Sequence, residues 1–157
     1  MSDNKFKVEI GSQPARRVIG LKVRTNMANA FSDCSGLWQN SFGPRMTEVA
    51  SFPSESYGIS VMAGPDEFDY WAALSYRDGD PVPKNMLTMD LPGGDFAVLA
   101  LDSLEDLAAG YQYLFSSWMP ESNYDYRMEA FSYELYPANH METGKLTLYM
   151  PVRLKDN

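Results

Sequence analysis

Glu134 is an acid in a run of aromatic and aliphatic residues, and an isolated carboxylate in that setting is a candidate for binding or acid–base chemistry. The run is Phe131, Ser132, Tyr133, Glu134, Leu135 and Tyr136. Successive side chains of a strand point to opposite faces, so Phe131, Tyr133 and Leu135 share one side and Ser132, Glu134 and Tyr136 the other. A second strand-like run, residues 146–152, places Leu146, Leu148, Met150 and Val152 on one face and Thr147 and Tyr149 on the opposite one. Paired as a hairpin, the two runs are expected to put Glu134 and Tyr149 on a common surface, which is the candidate binding site.

A carboxylate drawn out of water is destabilised in its charged form and its pKa rises, so an arriving cation that restores the pairing is favoured. Aromatic walls add cation–π and stacking contacts that depend little on ligand shape. Tyr149, Trp71, Trp118 and Tyr57 are the candidates for those walls. Each residue also has a plainer reading. A strand Glu more often faces solvent, strands favour aromatics without any ligand, and Trp118 ends a helical stripe that reads as core.

Other constellations carry less. His140, the single histidine, sits in a loop with no Ser or Cys at a triad spacing. Asp66, Glu67 and Asp69 crowd one turn without the ligand spacing or glycine of a calcium loop, so no metal site is expected. Asp102, Glu105 and Asp106 suit the start of a helix, where Ser103 can cap it. Gly93-Gly94 lies between two strands and opens no helix, which reads as a turn and not a phosphate cradle. No cofactor is implied.

The elements that position Glu134 follow from periodicity. Alternation marks strands at residues 6–10, 17–24, 57–62, 68–75, 86–91 and 95–101. Near-helical spacing over 26–40 ends at Gly43-Pro44, and the stripe Leu104, Leu107, Tyr111, Leu114, Phe115 and Trp118 predicts a helix running to Pro120. Turn-formers at 77–83 read as an internal boundary. The second half then repeats the first at a displacement near 76, Tyr57-Gly58-Ile59 answering Tyr133-Glu134-Leu135. Two βαββ modules, 6–76 and 84–154, are the simplest account, with Gly58 where Glu134 stands and Trp71 and Ala73 where Thr147 and Tyr149 stand.

A chain of 157 residues, 45% of them hydrophobic, suits one domain with a real core. Its 13 basic and 21 acidic residues give a net charge of -8, which disfavours direct contact with nucleic acid. The lone Cys34, the absence of an apolar signal core at the start and of any run near ~20 apolar residues point to a cytoplasmic protein that does not enter membranes. Eight Phe, 10 Tyr, 3 Trp and 10 Met supply large, adaptable side chains suited to a pocket as well as to a core.

Pro92-Gly93-Gly94-Asp95-Phe96-Ala97-Val98, Trp118-Met119-Pro120-Glu121-Ser122, Tyr133-Glu134-Leu135-Tyr136 and Leu148-Tyr149-Met150-Pro151-Val152, in that order and spacing, make residues 6–154 resemble the GyrI-like small-molecule-binding domain family. This module occurs alone and as the effector-binding part of multidrug-sensing bacterial transcription regulators. The resemblance implies an α+β fold, a pseudo-twofold pair of βαββ modules forming an antiparallel sheet with helices, and a central hydrophobic cleft for lipophilic, often cationic aromatic compounds. It also implies that Glu134 holds the cation and that Tyr149 lines the same cleft. No DNA-binding region is expected outside residues 6–154.

Three functions are therefore expected to compete. The first is a stand-alone binding protein that senses or sequesters small molecules. The second is a hydrolase of strained electrophiles using Glu134 and Tyr149, as the resemblance to some family members implies. The third is a protein-interaction module like the gyrase inhibitor, whose acidic surface meets a basic partner. The oligomeric state expected is a monomer or weak dimer.

Overall fold

The computed structural model describes residues 6–50 and 54–156. Alternating apolar runs become β1 (Val8–Gln13), β2 (Arg16–Asn26), β3 (Ser56–Met62) and β4 (Glu67–Ser75), then β5 (Leu87–Leu91), β6 (Gly94–Leu101), β7 (Tyr124–Tyr126), β8 (Ser132–Tyr136) and β9 (Leu146–Leu154). Between β2 and β3, α1 (Ala30–Gly36) continues through a π-helical stretch (Leu37–Phe42) and a 3-10 segment (Gly43–Glu48). Between β6 and β7, a 3-10 turn (Leu104–Asp106) opens α2 (Leu107–Tyr113), followed by a second π-helical stretch (Leu114–Trp118) and α3 (Met119–Glu121). A last turn of helix, α4 (His140–Thr143), links β8 to β9.

Ser103 caps the second helical segment, its hydroxyl accepting the Glu105 amide N–H at 3.0 Å. The helical path does not stop at Pro120. It runs one residue further, to Glu121, before Ser122 turns extended.

The fold is α+β, with nine strands among the described residues in one antiparallel sheet of order β1-β6-β9-β8-β3-β4-β2-β5, β7 pairing with the end of β9. From the centre outward the two arms read alike: β3, β4, β2, β5 on one side and β8, β9, β6, β1 on the other. At the centre Gly58 lies directly opposite Glu134. Matching positions in the arms are 76 residues apart. Trp71 faces Ile59 as Thr147 faces Leu135, and Ala73 faces Tyr57 as Tyr149 faces Tyr133.

Pro92 and Gly93 do not close a hairpin. β5 pairs with β2, whereas β6 pairs with β1 and β9, so the chain leaves one margin of the sheet and enters the other. Pro14 and Ala15 make the same passage between β2 and β1. Links of two residues span only a few ångströms, so the margins meet at this crossing and the sheet is curled. The crossing needs a glycine, since a Cβ on Gly93 would sit 2.5 Å from the Ala15 nitrogen and 2.6 Å from the Gln13 carbonyl oxygen.

Curling separates two faces. The outer face packs against the helices in two clusters, one with Leu99, Leu148 and Met150 near α2 and one with Ile19, Phe42, Tyr70 and Leu74 near α1. The inner face buries Val18, Tyr57, Ile59, Trp71, Phe96 and Tyr133 with no helical residue among them. Among the described residues no helix is long and apolar enough to cross a membrane.

Candidate functional site

Glu134 is on the outer face at the middle of the sheet, and it is only 2% exposed. Its Oε2 accepts a hydrogen bond from the Tyr111 hydroxyl at 2.7 Å, and its Oε1 accepts from Tyr136 at 3.2 Å and Tyr70 at 3.4 Å. The Tyr70 oxygen in turn accepts from the Trp38 indole N–H at 2.9 Å. Each partner comes from a different element: Tyr70 from β4, Tyr136 from β8, Tyr111 from α2 and Trp38 from the first π-helical stretch. Tyr136 presents its ring edge-on to Trp38 at 5.9 Å, so the four aromatic side chains enclose the carboxylate.

Burial raises the Glu134 pKa from its ordinary 4.5 to about 7, against the opposing pull of the Tyr111, Tyr136 and Tyr70 hydrogen bonds. The three phenols are held protonated far above their ordinary range, first by burial and then by the neighbouring Glu134 charge. The Cys34 thiol close by is pushed up to about 12, again chiefly by burial, so it is not a nucleophile at neutral pH. Glu134 forms no ion pair among the described residues, and its environment includes no cation. Chemically this is a negative charge that three neutral donors stabilise only in part.

The strand opposite makes room for it. A Cβ on Gly58 would lie 2.2 Å from the Tyr70 hydroxyl and 2.7 Å from Glu134 Oε1. Since positions 58 and 134 face one another at the centre of the sheet, only one of them can carry a long side chain there. Gly58→Ala is expected to push Tyr70 off the carboxylate and destabilise the fold by about 1–3 kcal/mol. Urea unfolding of the variant checks this, and an unchanged midpoint would show that the site relaxes freely.

The expected single surface proves to be two. Tyr133 is the direct partner of Tyr149, and Glu134 that of Leu148. Direct partners in an antiparallel pair share a face, so a register one residue away from the assumed one moves Tyr149 to the inner face. There its ring stacks on Tyr133 with centroids 4.8 Å apart. Tyr57 and Trp71 share that inner face, across the sheet from Glu134. Trp118 stacks on Tyr124 at 6.0 Å and packs against the cluster beneath α2. A reacting centre shared by Glu134 and Tyr149 is therefore excluded by the sheet between them.

Sequence reasoning missed Tyr70, Tyr111, Tyr136 and Trp38. Tyr136 was within reach, since it lies two residues from Glu134 on the same strand face. Tyr111 was read as core because its helical stripe is otherwise apolar. Among the described residues no three His, Cys, Asp or Glu side chains are grouped as a metal site.

Comparison with known proteins agrees with this architecture. Residues 6–153 match the GyrI-like small molecule binding domain. The transcriptional regulator BrlR of Pseudomonas aeruginosa is 28% identical over 155 residues, covering 91% of this chain and 54% of that protein, so the chain spans about half the length of this relative. Two solved structures share the fold. SAV2435 bound to tetraphenylphosphonium superposes with a TM-score of 0.76 at 13% identity, covering 94% of each chain. The EcmrR C-terminal domain gives 0.68 at 11% identity, covering 97% of this chain and all of that one. With its matched span, its antiparallel sheet and its two helical segments, the chain belongs to the GyrI-like family of small molecule binding domains.

Proposed function

We propose that this protein binds lipophilic organic cations at Glu134, between the two helical segments, and so senses or sequesters them. The observation that carries the reading is the buried carboxylate bonded to three phenols and to no cation. A cation arriving among Trp38, Tyr70, Tyr111 and Tyr136 gains the charge–charge term and cation–π contacts together. The tetraphenylphosphonium bound by SAV2435, a protein of the same fold, supports this choice of ligand class. On this reading residues 6–154 act as one unit built from the halves 6–76 and 84–154, and Glu134 serves as counter-ion without turning the ligand over. The unpaired Cys34 is in keeping with a reducing, cytoplasmic setting.

Thermal unfolding with tetraphenylphosphonium, beside neutral triphenylphosphine oxide, tests the proposal. At ~100 times the dissociation constant, linkage raises the midpoint by roughly 5 to 10 °C. The cation is expected to give that shift and the oxide little. Equal shifts, or none with the cation, would remove Glu134 from its role as anchor.

A further inference from the structure

The inner face of the sheet carries a second constellation that the Glu134 site does not use. Arg16, in β2 beside the crossing, turns its guanidinium toward the phenols of Tyr57, Tyr133 and Tyr149. Its contacts are weak. Nη1 donates to the Tyr57 hydroxyl and Nη2 to the Gln13 side-chain oxygen, both at 3.5 Å, while Nε is buried with no acceptor. A buried donor left unmade is costly, and Nε is such a donor although the Arg16 side chain as a whole is only half-buried.

None of the nearby acids supplies its acceptor. Arg17 takes Asp90 at 2.8 Å and Asp78 at 3.1 Å. Glu55 is exposed and forms no ion pair with Arg16. A second cation faces the same side: Arg127 lies 5.3 Å from the Phe96 ring centroid, its Nη2 donating to the Asp95 carbonyl at 3.3 Å. In a chain of net charge -8 this inner face thus presents two arginines, and Arg16 has no ion pair among the described residues.

We propose that the inner face is a second binding site, for small aromatic carboxylates, in which Arg16 holds the carboxylate and Tyr149 stacks on the ring. A planar fork of N–H donors matches a carboxylate bidentately, and a bound carboxylate supplies the acceptor that Nε lacks. Tyr57 and Ser75 stand ready to add hydroxyls, linked at 3.4 Å. The ring of Tyr149 is only partly buried, stacked on Tyr133 at 4.8 Å and edge-on to Phe96 at 6.2 Å, so an aromatic ligand extends an existing stack. The sheet separates this site from Glu134, and the two take ligands of opposite charge.

The test is a fluorine-NMR titration of the whole protein with 4-fluorobenzoate and, as the neutral isostere, 4-fluorobenzamide. The benzoate is expected to saturate a single site at least tenfold more tightly than the amide. Arg16→Met is expected to weaken it at least tenfold, and Glu134→Gln to leave it unchanged. Should Arg16→Met fail to fold, Arg16→Lys keeps the charge but loses the fork and is expected to weaken benzoate severalfold. Absence of saturable benzoate binding, equal binding of the amide, or wild-type affinity in the folded Arg16 variant would overturn the proposal. Because its probe is an anion and its variant lies on the inner face, failure here is distinguishable from failure of cation binding at Glu134.

Discussion

Glu134→Gln is expected to cost tetraphenylphosphonium about 2–5 kcal/mol of binding free energy, a loss of roughly 30-fold to several thousand-fold, while triphenylphosphine oxide changes by less than about threefold. The amide keeps the volume and one acceptor of the carboxylate, so the aromatic enclosure survives. What disappears is the charge, in a site that water barely reaches. The phenols at 2.7, 3.2 and 3.4 Å reorient toward the remaining oxygen, but they offer a cation only ring faces and hydroxyl dipoles. Calorimetric titration of both ligands into both proteins measures the difference. Equal losses for cation and oxide would mean that Glu134 merely shapes the pocket.

The second large effect is on stability as a function of pH. Glu134 titrates at about 7 in the folded chain against an ordinary 4.5. Below pH 4.5 it is protonated in both states and imposes no penalty. As pH rises from there the unfolded chain ionises first, so stability falls, and above pH 7 the full difference of about 3 kcal/mol is felt. Wild type is therefore expected to lose about 3 kcal/mol relative to Glu134→Gln between pH 4.5 and pH 8. Asp69 and Glu48, whose pKa values are lowered by hydrogen bonds from Arg24 and Arg45, act in the opposite direction. Their contributions are common to both proteins and cancel in the comparison. Urea unfolding across that range measures it, and parallel pH profiles for the two proteins would contradict the buried, high-pKa carboxylate.

Strand alternation made the two faces of β8 and of β9 legible in sequence. The displacement of 76 made Gly58 the counterpart of Glu134, but did not show that the two lie directly opposite each other. The physical reason for that asymmetry, a shared central position with space for one long side chain, became visible only with the structure. Register was not legible: nothing local distinguishes Tyr149 opposite Glu134 from Tyr149 opposite Tyr133, because the answer lies in the path of residues 137–145. Nor was the crossing, since Pro92-Gly93 has the composition of a hairpin turn and is set apart only by which distant strands β5 and β6 join. Tyr111 and Trp38 were hidden for a different reason. On a helix an aromatic residue that donates a hydrogen bond into the sheet follows the same period as one that simply packs.

Both helical segments contain a π-helical stretch, Leu37–Phe42 in the first and Leu114–Trp118 in the second. A π-helical turn widens the spacing of side chains and is frequent at functional sites. Here it carries Trp38 over Tyr70, whereas its counterpart carries Trp118 onto Tyr124. The two arms thus share one architecture, and the Gly58–Glu134 asymmetry with the phenols around the carboxylate sets them apart.

Proton release on ligand binding tests the account most directly. Tetraphenylphosphonium is titrated at pH 6 by calorimetry in two buffers of different ionisation enthalpy, with wild type and Glu134→Gln side by side. If the cation binds against ionised Glu134, wild type releases about 0.9 proton per cation at that pH, and the variant none. Binding with no proton release from wild type, at the same affinity as the variant, would contradict it.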